Sequence, residues 1–142
     1  MFMTYEHVYV ASVALSSQAQ TLQAFVEADH HNGPSIIIAY SHCIAHGIDM
    51  EKPLQNQKAL VDSGQWILYR YNPELTKVGK NPFVLESKAP KIPVAQYMDM
   101  EIRYKMLSKI NPSAYKDLYK QAQEFVDERY KHYAFLATKE NV

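Results

Sequence analysis

The run Ser35-Ile36-Ile37-Ile38-Ala39-Tyr40 constrains this chain more than any other stretch. It is uncharged and apolar, with Gly33-Pro34 before it and the polar cluster Ser41-His42-Cys43 after it. A run of that kind suits a strand covered on both faces, and such strands belong to parallel sheets. The rest of the first half supplies the alternation a parallel sheet needs. His7 to Leu15 carries Val8, Tyr9, Val10 and Val13 and reads as a strand. Ser17-Gln18-Ala19-Gln20 has the form of a capping box, and Leu15, Ala19, Leu22 and Val26 follow on one helical face. His30, His31 and Gly33 end that helix, with Gly33 suited to a left-handed cap.

Asp49 to Ser63 predicts a second helix, with Leu54, Ala59, Leu60 and Val61 apolar and Gly64 as its cap. Trp66 to Tyr71 predicts a third strand closed by Asn72-Pro73, and Phe83 to Leu85 a short fourth one. Pro82, Pro90 and Pro93 break helix around it. Val94 to Lys109 reads as a helix through Met98, Ile102 and Met106. Asn111-Pro112 starts another, which keeps its period through Tyr115, Leu118, Ala122, Val126, Arg129, Tyr130 and Tyr133. The order β-α-β-α-β predicts an α/β fold: a parallel sheet with flanking helices and two C-terminal helices. Residues 1–142 then form a single domain, with an α/β part over 1–90 and a helical tail over 91–142.

Charge excludes some partners. Fifteen basic and fifteen acidic residues cancel, which gives no support for nucleic acid or an anionic membrane. No apolar run approaches the ~20 residues of a bilayer span. The start, Met1-Phe2-Met3-Thr4-Tyr5-Glu6-His7, lacks the pattern of a signal peptide. One cysteine allows no internal disulfide, so a reducing cytoplasm is the expected compartment.

That cysteine, Cys43, falls at the carboxyl end of the apolar strand, where ligands gather in open α/β sheets. On residue type alone, Cys43 is either a small buried apolar residue or a metal or cluster ligand. His42, Cys43 and His46 suggest zinc, but a structural zinc site needs a fourth ligand and none is evident. Cys43 with His46 as base and Asp49 as orienting group suggests a nucleophile. His46 is otherwise an outer partner or a turn residue. Arg70 reads as a salt-bridged residue at a sheet edge or as a substrate contact. Trp66, Tyr69 and Tyr71 read as core and interface aromatics. Ser12, Ser16 and Ser17 could face a ligand.

Longer strings carry a resemblance. They are Val8-Tyr9-Val10-Ala11-Ser12-Val13-Ala14, the block from Gly33-Pro34-Ser35 to Gly47-Ile48-Asp49-Met50, and Trp66-Ile67-Leu68-Tyr69-Arg70-Tyr71-Asn72-Pro73. Gly79-Lys80-Asn81-Pro82-Phe83, Leu85-Glu86-Ser87-Lys88 and Glu101-Ile102-Arg103-Tyr104 extend it. Together they resemble the C-terminal part of the thiamine-diphosphate-binding domain of the pyruvate:ferredoxin (flavodoxin) oxidoreductases. That family often has Gly after the first Tyr, where Glu6 stands here.

The resemblance implies an oxidoreductase that oxidatively decarboxylates pyruvate with CoA to acetyl-CoA and CO2. Electrons pass through iron–sulfur clusters to ferredoxin or flavodoxin. Cys43 matches the fourth thiolate of a 4Fe-4S cluster, so it is the one cofactor-binding and metal-ligating residue expected here. The amides of the Ile44–Gly47 turn could bond to cluster sulfurs, and Gly47 would allow close approach. The other three thiolates, and the motifs that hold thiamine diphosphate and Mg2+, lie outside this chain. No catalytic residue is assigned to it. The implied partners are the remainder of the oxidoreductase and the redox acceptor, with a homodimer as the complete enzyme. The chain alone is expected to be inactive. A non-catalytic interaction module, a residual fragment without cofactor, and a related 2-oxoacid:ferredoxin oxidoreductase are the alternatives.

Overall fold

A computed structural model describes residues 1–138. Four strands form one sheet: β1 (Tyr9–Ala14), β2 (Ser35–Tyr40), β3 (Tyr69–Tyr71) and β4 (Phe83–Leu85). Their spatial order is β2-β1-β3-β4. Five α-helices surround it: α1 (Gln18–His30), α2 (Pro53–Asp62), α3 (Val94–Met98), α4 (Ile102–Ile110) and α5 (Pro112–Thr138). The expected α/β class, flanking helices and helical tail are all present.

The sheet is mixed rather than parallel throughout. β1 and β2 run parallel, Tyr9 opposite Ser35 through Ala14 opposite Tyr40. β3 runs antiparallel to β1, with Ala11 opposite Arg70, and β4 runs antiparallel to β3. The reason lies in α2. Its Leu60 packs on Val94 and Tyr97 of α3 and Val126 of α5. α2 therefore does not return the chain along the sheet, and the chain enters β3 from the end where β2 stopped.

The expectation that β2 is covered on both faces does not hold; the strand so covered is β1. All six residues of β1 are buried. β2 is the free edge, and Ser35, Ile38 and Ala39 are exposed. Odd residues of β1 (Tyr9, Ala11, Val13) meet Ala24 and Ala28 of α1. On the other face Val8 and Val10 join Ile67, Tyr69 and Phe83 under Tyr130, Tyr133 and Leu136 of α5. The Tyr133 ring stacks 5.3 Å from that of Tyr69.

α1 turns a different face inward from the one its apolar spacing predicts. Leu15, Leu22 and Val26 are exposed, and Thr21 and Ala24 are buried. The cause is a charge. Glu27 pairs with Arg70 and accepts from the Tyr9 hydroxyl at 3.1 Å, so the face bearing Glu27 must meet the sheet. Arg70 Nε also lies 3.0 Å from Glu86. Arg70 is thus salt-bridged, as expected, but in an interior strand rather than at an edge. The capping box does not form, since Ser17 makes no side-chain cap bond and Gln20 donates to Ser12 O instead. Gly33 has no left-handed φ, and His31 caps α1 in an extended conformation.

The helix expected over Val94–Lys109 is broken into α3 and α4. Glu101, fully buried and extended, stands at the break. The Tyr97 hydroxyl donates to one of its oxygens at 2.9 Å, and Arg103 pairs with the other. Holding that carboxylate out of water fixes the new helix start. Burial raises the pKa of the Tyr97 hydroxyl, with Tyr40 and Glu101 adding to the effect. Asn111 caps α5 as predicted, its Oδ1 accepting from the Ala114 amide. Glu6 adopts a left-handed φ of +55°.

Candidate functional site: the strand-end cysteine

Cys43 leaves the end of β2 in extended conformation, φ −139° and ψ 140°. A single helical turn, Ile44–His46, follows, and Gly47 closes it at φ +68°. The His46 amide donates to Cys43 O and the Gly47 amide to Ile44 O, so both are used inside the turn. The Ile44 and Ala45 amides form no hydrogen bond among the described residues. The thiol is free and exposed. Beside it Ile44 is 76% exposed, an unusual placement for isoleucine.

Three supports hold this loop. Gln57, fully buried on α2, accepts from the Ser16 amide through Oε1 at 3.2 Å. That fixes its orientation, so Nε2 donates to His42 Nδ1 at 3.0 Å. One side chain therefore ties the ends of β1 and β2 together, one residue from Cys43. Tyr40 packs on Trp66 with ring centroids 5.5 Å apart, and Trp66 Nε1 donates to Val13 O. The Ile102 amide donates to Gly47 O at 3.1 Å. A Cβ on Gly47 would lie 2.5 Å from Ile102 Cβ. The close approach that needs glycine is thus to α4.

Other candidate groupings do not assemble. The His46 ring makes no bond to Cys43, and its Nδ1 is buried without a partner among the described residues. Asp49 accepts from the Glu51 amide and pairs with Lys52 at 3.7 Å, so it does not orient His46. Among the described residues no three of His, Cys, Asp and Glu converge to hold a metal ion. Ser12 and Ser17 line separate hollows, and the Ser16 hydroxyl is buried and unpaired. Arg70 is held in ion pairs with Glu27 and Glu86. No helix among the described residues is long and apolar enough to cross a membrane.

Sequence reasoning missed Asn56, Gln57 and Glu101, all buried polar residues. A signal for the first two existed. They stand four and three residues before Leu60, on the face that α2 buries.

Cys43 thus stands exposed after β2 of an α/β unit, and among the described residues no group of three or more His, Cys, Asp or Glu forms that could hold a metal ion. Pyruvate-flavodoxin oxidoreductase of Trichormus variabilis is 55% identical over 141 residues, covering 99% of this chain and 12% of that protein. Pyruvate:ferredoxin oxidoreductase of Moorella thermoacetica is 44% identical over 138 residues, 96% of this chain and 12% of the relative. The mitochondrial pyruvate dehydrogenase [NADP(+)] of Euglena gracilis is 41% identical over 135 residues, 94% of this chain and 8% of the relative. No protein-family model matches the chain. The chain is related in sequence to a segment of the pyruvate-flavodoxin and pyruvate:ferredoxin oxidoreductases, and it spans 12% of the length of such relatives.

Proposed function

We propose that this chain serves as part of a pyruvate:ferredoxin or pyruvate:flavodoxin oxidoreductase, with Cys43 as its one ligand to a 4Fe-4S cluster. The observation that carries this reading is the free, exposed thiol at the end of β2, followed by two amides with no hydrogen bond among the described residues. A cubane cluster takes four thiolates, which distant segments can provide. Cys43 fits as one of the four. When bound, such a cluster supplies one-electron transfer between the oxidised substrate and the external acceptor.

The chain's own residues position that thiol. Gln57 and Trp66 fix the strand ends, and the Gly47–Ile102 contact fixes the turn. Ile44 and Ala45 can donate to cluster sulfurs, which tunes the potential. The exposed Ile44 side chain keeps water from that side. Thiamine diphosphate with Mg2+ is not assigned to residues of this chain. That cofactor, CoA and pyruvate are assigned to the remainder of the enzyme, and activity requires that remainder. A reducing cytoplasm keeps the thiol available.

The bare edge of β2 supports incompleteness. Its six residues carry no charge and no proline, although proteins ordinarily protect free edges with such residues. The test is Cys43→Ser in the complete oxidoreductase. Iron content and the reduced-cluster spin signal should fall, while thiamine diphosphate binding is retained. Unchanged iron content with normal electron transfer would remove the assignment.

A further inference from the structure

Asn56 and Gln57 are neighbouring buried amides with different fates. Gln57 uses both ends of its amide. Asn56 is 2% exposed, yet neither Oδ1 nor Nδ2 has a partner among the described residues. Buried carboxamides are nearly always paired, so an amide orphaned at both ends points to an absent group. Asn56 lines a hollow of about 190 Å3 with Asp49, Lys52 and Met100.

The hollow limits what can enter. Lys52 and Asp49 face each other at 3.7 Å, so their charges cancel and no ion is favoured. The volume is below the roughly 300 Å3 of an ordinary small-molecule site. It suits a few heavy atoms. One edge of an asparagine amide offers a donor and an acceptor side by side in a plane, and the N–H and C=O of one extended main-chain residue, which point the same way, are its complement.

We propose that Asn56 is a socket for an extended main-chain residue from the remainder of the oxidoreductase, whose N–H and C=O pair with the amide as that segment docks against α2 and the Asp49–Lys52 turn. This rests on the functional reading above. Two observations select a polypeptide occupant. Most of the length of the relatives lies outside the matching segment. The margin of the hollow is also apolar, since Met100 lines it, Met50 directly follows Asp49, and both are exposed. Methionine is enriched at protein interfaces relative to the rest of the surface.

Hydrogen exchange on the 142-residue chain and on the complete oxidoreductase tests this. Amides of residues 49–57 should exchange at least tenfold more slowly in the complete enzyme. Asn56→Leu should abolish that protection, yet leave the urea midpoint of the free chain unchanged or higher, because an unpaired amide is removed. Protection of residues 35–43 without protection of 49–57 would overturn the socket and spare the functional reading. Absence of protection anywhere in the chain would overturn both. Protection that persists in Asn56→Leu, or a lowered midpoint of the free variant, would also overturn the socket. The first would mean that the amide is not what docks, and the second that it is satisfied within the chain.

Discussion

Gly47→Ala should damage this chain through two separable effects. Gly47 has φ +68°, where an L-residue with a Cβ costs about 1–2 kcal/mol. The new Cβ would also meet Ile102 Cβ at 2.5 Å. That atom is fixed to the backbone and cannot rotate away, so the first turn of α4 must shift. Overpacking of this kind costs about 1–3 kcal/mol. The expected loss is therefore about 2–5 kcal/mol, a large share of the stability of a small domain. Urea denaturation of the chain measures it. Gly79→Ala is the control, since φ there is +71° but nothing lies within 4 Å of the added Cβ. It should lose only the backbone part, about 1–2 kcal/mol. Ile102→Ala should not rescue Gly47→Ala, because it keeps the Cβ that clashes. Equal losses at positions 47 and 79 would refute the steric argument. In the complete enzyme the same substitution should lower iron content, because the displaced turn carries Cys43.

Arg70→Met should destabilise the chain by about 3–5 kcal/mol in urea, because it leaves the Glu27 and Glu86 carboxylates without their shared partner. Glu27→Gln in the same background should recover part of that loss. Glu6→Gly should raise stability by about 0.5–1 kcal/mol, because the relief at φ +55° exceeds the added freedom of the unfolded chain. Burial and the neighbouring Tyr133 push the Tyr69 hydroxyl from 10.0 up to about 12. The folded chain thus holds a proton that the unfolded chain releases, so this contribution is full below pH 10 and is lost as pH rises toward 12. Tyr69→Phe should flatten the fall in urea midpoint across that window, and an unchanged slope would count against the burial of Tyr69.

The order of elements was legible because local signals decide it. β1, β2 and β4 fell where β-branched and aromatic runs stood, and Asn111-Pro112 opened α5. Strand direction was not legible. The antiparallel β3 follows from α2 packing on α3 and α5, which involves residues more than thirty positions apart. The inward face of α1 was misread for a related reason. Apolar spacing favoured Leu22 and Val26, but the Glu27–Arg70 pair outweighed it, and a charge that is buried by a distant partner leaves no periodic trace. Cys43 was found from its place after an apolar strand and from the strings around it. Gln57, which steadies the loop beside it, was passed over because a glutamine in a helix ordinarily faces water.

The uncovered margin of β2 also bears on how a solitary copy behaves. A ribbon of Ile and Ala, with backbone groups facing outward and nothing to repel a second ribbon, pairs readily with its own kind. The chain produced by itself should therefore self-associate in a concentration-dependent way. For this chain, assembly and solubility are the same problem.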